Sequence, residues 1–138
     1  MRENGQVVDA DEASFNSKYE KTLASNLAFE IFRPLHADSK RLAVVDYAGA
    51  KPTEVDAKGL LVLATLLADR LKKATSAKRV GIVLPPGVGG VVANLAVVFA
   101  DKVPVNLNFS LGRAAVESSI ERAGIDLLLS AEKMRAKL

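Results

Sequence analysis

Few side chains in this 138-residue sequence can do chemistry, and their types narrow what that chemistry could be. There is no cysteine, which excludes thiol nucleophiles, disulfides, zinc–thiolate sites and iron–sulfur clusters. With a single histidine, His36, a His-rich metal site is excluded as well. A Ser–His–Asp triad would have to recruit that histidine from just past Pro34, where it reads as a surface residue. Glu117 and Glu121 stand four apart, the spacing of a solvated helix face rather than of an acid–base pair. The stretch Pro85-Pro86-Gly87-Val88-Gly89-Gly90 has the make-up of a strand-to-helix turn, whose N–H groups can face an anion. It fails as a dinucleotide fingerprint, because Val92 stands where the third glycine belongs and Asp101 comes too early for the ribose acid. Gly-Lys-Ser/Thr occurs nowhere, so there is no Walker loop. The turn therefore reads as close packing by small residues. Asn106 and Asn108 are the candidate ligand-binding residues. They fall near the C-terminal end of a predicted parallel strand, where open α/β sheets place ligands, although asparagine is also a common turn former. No residue is assigned a catalytic or metal-binding role.

The elements that must position these groups can be read from hydrophobic spacing. Residues 1–13 read as a disordered leader, and 14–138 as a single α/β domain. From Ser14, the residues Phe15, Tyr19, Leu23, Leu27, Ile31 and Leu35 recur every four positions and predict a helix that Pro34 ends. Leu42 to Tyr47 predicts a strand stopping before Gly49. Thr53 is the expected cap of the next helix, with Asp56 in the capping-box position and Leu60, Leu63, Leu67 and Leu71 as its buried stripe. Val80–Leu84 predicts a strand buried on both faces, and Val88–Ala100 a buried helix. Val103–Leu107 is the next strand, and Ser110 the expected cap of a helix along Leu111, Ala115, Val116, Ile120 and Ala123. Gly124-Ile125 marks its stop, Asp126–Ser130 a further strand, and Ala131–Leu138 the start of another helix. Strands alternating with helices predict an α/β fold, doubly wound, with a mainly parallel sheet and helices on both faces.

Composition agrees with one well-filled domain: 49% of residues are hydrophobic and 25% charged. Charge is uneven, with 6 basic and 8 acidic side chains in residues 1–50 against 13 and 8 in residues 51–138. The densest basic stretch is Arg70, Lys72, Lys73, Lys78 and Arg79, which reads as cations gathered at a helix C-terminus. Nucleic acid is not expected as a partner, since 7 aromatic residues, none between Tyr47 and Phe99, supply no stacking platform. Val80–Ala100 is 21 residues without a charge, yet the two prolines and three glycines of its middle, Leu84–Gly90, would interrupt a spanning helix. No secretory signal opens the chain, and a cytoplasmic location is expected.

Taken together, Val80-Gly81-Ile82-Val83-Leu84-Pro85, Ala93–Ala100 and Lys102–Asn108 resemble the opening of the AMP-forming acyl-adenylate synthetases. That superfamily holds the acyl-CoA synthetases, the luciferases and peptide-synthetase adenylation domains. Lys102-Val103-Pro104-Val105-Asn106-Leu107-Asn108-Phe109-Ser110-Leu111-Gly112 looks most like the long-chain acyl-[acyl-carrier-protein] synthetases, often fused behind a lysophospholipid acyltransferase. Ala43–Asp46, the Leu60–Leu71 helix, Ala123-Gly124-Ile125 and the strand ending at Ser130 extend the resemblance over about residues 20–138. Two positions depart from it. The family's Thr-Tyr-Gly-Glu-Leu appears as Thr53-Glu54-Val55-Asp56, and its glycine after the buried helix is Asp101.

The resemblance implies the first portion of the adenylate-forming N-terminal domain. It also implies ATP- and Mg²⁺-dependent activation of a carboxylate as an acyl-adenylate, followed by transfer to a thiol. The implied partners of the parent enzyme are a fatty acid, ATP, and coenzyme A or acyl carrier protein, with peripheral membrane association left open. The family's phosphate loop, Mg²⁺-binding acid and catalytic lysine have no counterpart before Leu138. No cofactor is therefore assigned to this segment, and in isolation it is expected to be inactive and prone to self-association. The alternative is a complete, non-catalytic α/β interaction domain that assembles through an open sheet edge.

Overall fold

Asn26 opens the first helix by accepting the Ala28 and Phe29 N–H groups on its side-chain oxygen, at 2.9 and 3.3 Å. The computed structural model describes residues 24–132 and 134. The expected leader, the first part of the helix from Ser14 and most of the helix expected over Ala131–Leu138 lie outside the described residues. Helix α1 (Leu27–Ala37) starts at the Asn26 cap, and Ala24 and Ser25 before it are in a turn rather than in the helix expected there. It also runs through Pro34, contrary to the sequence expectation. Proline forfeits one hydrogen bond but has a helical φ, and burial of Leu35 against Leu60 and Leu61 carries the helix onward. His36 is thus in the last turn of α1, exposed, with its ring stacked on Phe32 at 5.3 Å.

Strand β1 (Leu42–Asp46) pairs antiparallel with β2 (Thr53–Asp56), with Asp46 opposite Thr53. This ribbon corrects two expectations. The first strand stands outside the parallel sheet, and Thr53 is a strand residue rather than a helix cap. Helix α2 (Ala57–Ala74) is capped by Asp56, whose Oδ1 accepts the Gly59 N–H at 2.7 Å. Its buried stripe is Ala57, Leu60, Leu61, Ala64, Ala68 and Leu71, while the expected member Leu63 is exposed. Small alanines mark the buried face because α3 packs closely against it.

The second sheet is parallel, in the order β4 (Val103–Asn106), β3 (Arg79–Val83), β5 (Leu128–Ser130). Helix α3 (Val88–Phe99) links β3 to β4, and α4 (Arg113–Ala123) links β4 to β5. Central strand β3 presents Val80 and Ile82 to α2 and α3, beside Ala93, Ala96 and Val97. Its other face presents Val83 to Val116 of α4, with Leu107 and Ile125. Helices therefore cover both faces, and the doubly wound arrangement expected from the strand–helix alternation is present. Val88–Phe99 is apolar almost throughout, but only Ala93, Ala96 and Val97 are fully buried; most of the rest is half-buried, and Gly89 and Val91 reach solvent, so the helix is less enclosed than its composition suggests. Ser110 does not cap α4. It lies in a 3₁₀ turn, Phe109–Leu111, and hydrogen-bonds to Asn108, while Gly112 precedes the helix. Helix α4 ends as expected: Gly124 adopts the left-handed conformation at φ 61°, and the Ile125 N–H returns to the Ile120 carbonyl at 3.1 Å.

Candidate functional site

Parallel packing sets the carboxyl ends of β3 and β4 side by side, and the α3 N-terminus rises between them. There the sequence places Leu84, the Pro85-Pro86-Gly87 turn and Asn106, and they line a cleft of about 510 Å³ with Gly90, Val91 and Asn94. Asn94 reaches it from the second turn of α3, where its Nδ2 also donates to the Gly90 carbonyl at 2.9 Å. Asn94 and Asn106 pair head to tail across the cleft. Asn94 Nδ2 donates to Asn106 Oδ1 at 3.1 Å, and Asn106 Nδ2 donates to Asn94 Oδ1 at 2.8 Å. The reciprocal pair fixes both side chains; with the Gly90 bond it uses both N–H donors of Asn94, so spare donor capacity stays on Asn106 and spare acceptor capacity on both amide oxygens.

The two sequence-selected residues have separate fates. Asn106 is in the cleft, whereas Asn108 turns to cap the 3₁₀ turn, its Oδ1 accepting the Ser110 N–H at 3.0 Å and the Ser110 hydroxyl at 2.7 Å. Asn94 is a cleft residue that sequence reasoning misses, although a signal exists: it is the sole polar side chain among the 21 uncharged residues Val80–Ala100.

The Gly-rich turn is already served by an acid from β1. Asp46 Oδ2 accepts the Val88 N–H, the first of α3, at 3.0 Å, while its Oδ1 accepts the Ala48 N–H at 2.8 Å. These bonds, to Ala48 first and then Val88, hold the Asp46 carboxyl below the ordinary carboxylate range against an opposing desolvation. Gly87 is required beside it. Its φ is 142°, and a side chain there would meet the Asp46 carboxylate. An intramolecular carboxylate thus sits where an anion would otherwise bind a helix N-terminus. This arrangement does not suit a phosphate, which would meet like charge.

The remaining candidates take structural roles. Glu117 pairs with Arg113 at 2.7 Å on the exposed face of α4. The basic stretch is spread over three helix ends. Lys72 and Lys73 lie in the last turn of α2, Lys78 Nζ donates to the Asp101 carbonyl at 2.7 Å past α3, and Arg79 Nη1 lies 3.5 Å from the Ala123 carbonyl of α4. Each of these four cations stands at the negative end of a helix, at the opposite end of the parallel strands from the cleft. Among the described residues, no three His, Asp or Glu side chains cluster to hold a metal ion, and no helix is long and apolar enough to cross a membrane.

No family model matches the chain, and no curated protein does. Solved structures do. A benzoate CoA ligase from Burkholderia xenovorans LB400 superposes with a TM-score of 0.70 at 21% identity, over 83% of this chain and 23% of that one. The nonribosomal peptide synthetase FmoA3, in a form with α-methyl-L-serine-AMP bound, gives 0.74 at 19% identity, over 83% of this chain and 13% of that one. A fatty acid AMP ligase from Legionella pneumophila gives 0.69 at 15% identity, over 85% of this chain and 22% of that one. The fold is therefore that of the N-terminal part of the adenylate-forming domain, and the chain spans less than a quarter of these proteins.

Proposed function

We propose that this chain is the N-terminal segment of an AMP-forming ligase, one that activates a fatty acid with ATP as an acyl-adenylate and passes it to coenzyme A or an acyl carrier protein. The observation that carries this reading is the likeness of more than four-fifths of the chain to the adenylate-forming fold, shared with ligases for acids of different kinds. The preference for a fatty acid and a carrier-protein or coenzyme A thiol rests on the Lys102–Gly112 resemblance alone. Within this reading the parent protein works in the cytoplasm with ATP and Mg²⁺. The described residues supply scaffold. Asp46 fills the α3 N-terminus, and no acidic cluster among them stands ready for a cation, so nucleotide contacts are assigned to residues beyond this segment. In such chemistry phosphate positioning and charge neutralisation dominate, and they need donors of a kind that the cleft of Asn94 and Asn106 does not assemble.

The test is the natural reading frame and its product. The frame should continue past Leu138 into a Ser/Thr/Gly-rich loop ending in Pro-Lys-Gly. The full product should then catalyse pyrophosphate exchange into ATP only when a carboxylic acid is added. A stop codon after Leu138, or a full product without acid-dependent exchange, would overturn the reading.

One observation favours a second reading. Strands β4 and β5 are each paired on one side only among the described residues, leaving two edges of a parallel sheet for assembly. On that reading the 138-residue protein self-associates through sheet edges and has no catalytic parent. A strictly monomeric species in concentration-dependent light scattering contradicts it.

A further inference from the structure

We propose that the face shared by α1 and α2 pairs with the same face of a second copy of this chain, about a two-fold axis crossing the middle of α2. The two helices lie side by side, with Leu35 near the end of α1 against Leu60 and Leu61 near the start of α2. Between them runs an apolar trough of about 640 Å³, whose lining includes Phe32, Leu61, Val62, Thr65 and Leu66. A second hollow of about 360 Å³ shares Phe32 and Thr65 and adds Phe29. These helices carry six of the eleven large hydrophobic side chains exposed among the described residues. Four of the six, Phe29, Phe32, Val62 and Leu66, stand on this face, with Phe29 58% and Leu66 60% exposed. Apolar surface gathered in this way, rather than scattered, marks an association site.

Self-complementarity selects a second copy as the occupant. A two-fold contact uses one patch twice, so the patch must complement itself. Lys58 and Asp69 stand about three helical turns apart on α2, and so lie on one line of its surface at about 16 Å. Val62, Thr65 and Leu66 fill the stretch between them. Both charges are exposed, and neither makes an ion pair among the described residues. When two α2 helices meet antiparallel at Leu63–Ala64, Lys58 of each copy comes opposite Asp69 of the other, and Val62 opposite Leu66. Opposite signs then meet at both ends, with apolar side chains in the middle. On α1, Glu30 and Arg33 already pair with each other at 3.0 Å and add no net charge to the face. With α1 flanking α2 on each copy, the contact is a four-helix arrangement. A helix of this length extends about 27 Å, and two side by side span about 20 Å, a footprint of roughly 500 Å² per copy before side-chain relief, which is the scale of a specific interface. The proposal rests on neither reading above, because its surface is separate from the cleft and from the β4 and β5 edges.

The test is the oligomeric state of the full 138-residue chain over a concentration series, read by sedimentation. A monomer–dimer equilibrium is expected, closing at the dimer because the axis is two-fold. Val62→Ser with Leu66→Ser, both at exposed positions, should raise the dissociation constant at least about tenfold while unfolding stays cooperative. Lys58→Asp or Asp69→Lys alone should weaken the dimer about fivefold, and the two together should restore it to within about twofold of wild type. The absence of native cysteine adds a direct readout. Thr65→Cys, close to the axis, should form an intermolecular disulfide under mild oxidation about tenfold faster than Ser118→Cys at an exposed position of α4. A monomer up to about 1 mM would overturn the proposal. So would a dimer or larger species that the α2 substitutions leave unchanged, which would assign association to the sheet edges.

Discussion

Asp46 Oδ2 lies 3.0 Å from the Val88 nitrogen, so a carboxylate at the end of β1 caps a helix 42 residues further on. This bond ties the antiparallel ribbon to the parallel sheet and occupies the turn that most invites an anion. Asp46→Ala should lower the unfolding midpoint at neutral pH more than Asp46→Asn, which keeps an acceptor oxygen. The pH dependence follows from the lowered folded-state pKa of Asp46. Its stabilisation is complete above the unfolded carboxylate value of about 3.9 and is lost as pH falls through the lower folded value. Thermal melts of wild type and Asp46→Asn between pH 2 and 7 should therefore converge toward the acid end. Parallel curves across that whole range would contradict the assignment.

The Asn94–Asn106 pair should behave as one unit. Each single alanine substitution is expected to cost about 0.5–1.5 kcal/mol, because the partner amide loses its mate. The double variant should cost less than the sum of the two, giving a coupling of about 0.5–1 kcal/mol for this exposed pair. Urea unfolding of the four-member cycle measures it, and strict additivity would show that the pair does not form in solution.

Asp56 and Thr53 separate the observed α2 start from the one expected from sequence. Asp56→Ala should cost about 1 kcal/mol, the usual loss for an N-cap, whereas Thr53→Ala at an exposed strand position should stay within about 0.5 kcal/mol. The opposite ranking in chemical denaturation would move the helix start back to Thr53.

Asp101 holds a left-handed backbone at φ 58°, the conformation that glycine adopts without strain. Asp101→Gly should stabilise the protein by up to about 1 kcal/mol. Its carboxylate also pairs with Lys78 at 3.3 Å, but that pair is largely in solvent, and removing it offsets little of the gain. Thermal denaturation checks the sign. The resemblance singles out this position as a departure from a glycine, and the turn geometry accounts for both residues.

How much is legible in the sequence depends on whether the cause is local. Val80–Leu84, the Pro-Pro-Gly turn and the apolar run to Ala100 announce β3 and α3 because burial on both sides leaves no charged interruption. Gly124-Ile125 announces the end of α4 because the left-handed stop and its returning bond lie within a few residues. Strand β2 is hidden, since Thr53-Glu54-Val55-Asp56 has one apolar residue and becomes a strand only by pairing with β1. For the same reason Asp46 gives no sign of capping α3. Its bond depends on how two sheets sit together, and nothing near Asp46 in sequence records that. Asn106 is found by its place at a strand end, while Asn94 becomes meaningful only once the crossover sets it opposite.

Pyrophosphate exchange into ATP decides whether this fold opens an acid-activating enzyme, with the 138-residue chain and the full product of its reading frame assayed side by side against a panel of fatty and aromatic acids. Acid-dependent exchange is expected from the full product and none from the 138-residue chain. Exchange by the short chain alone, or its absence from the full product with every acid, would contradict this expectation.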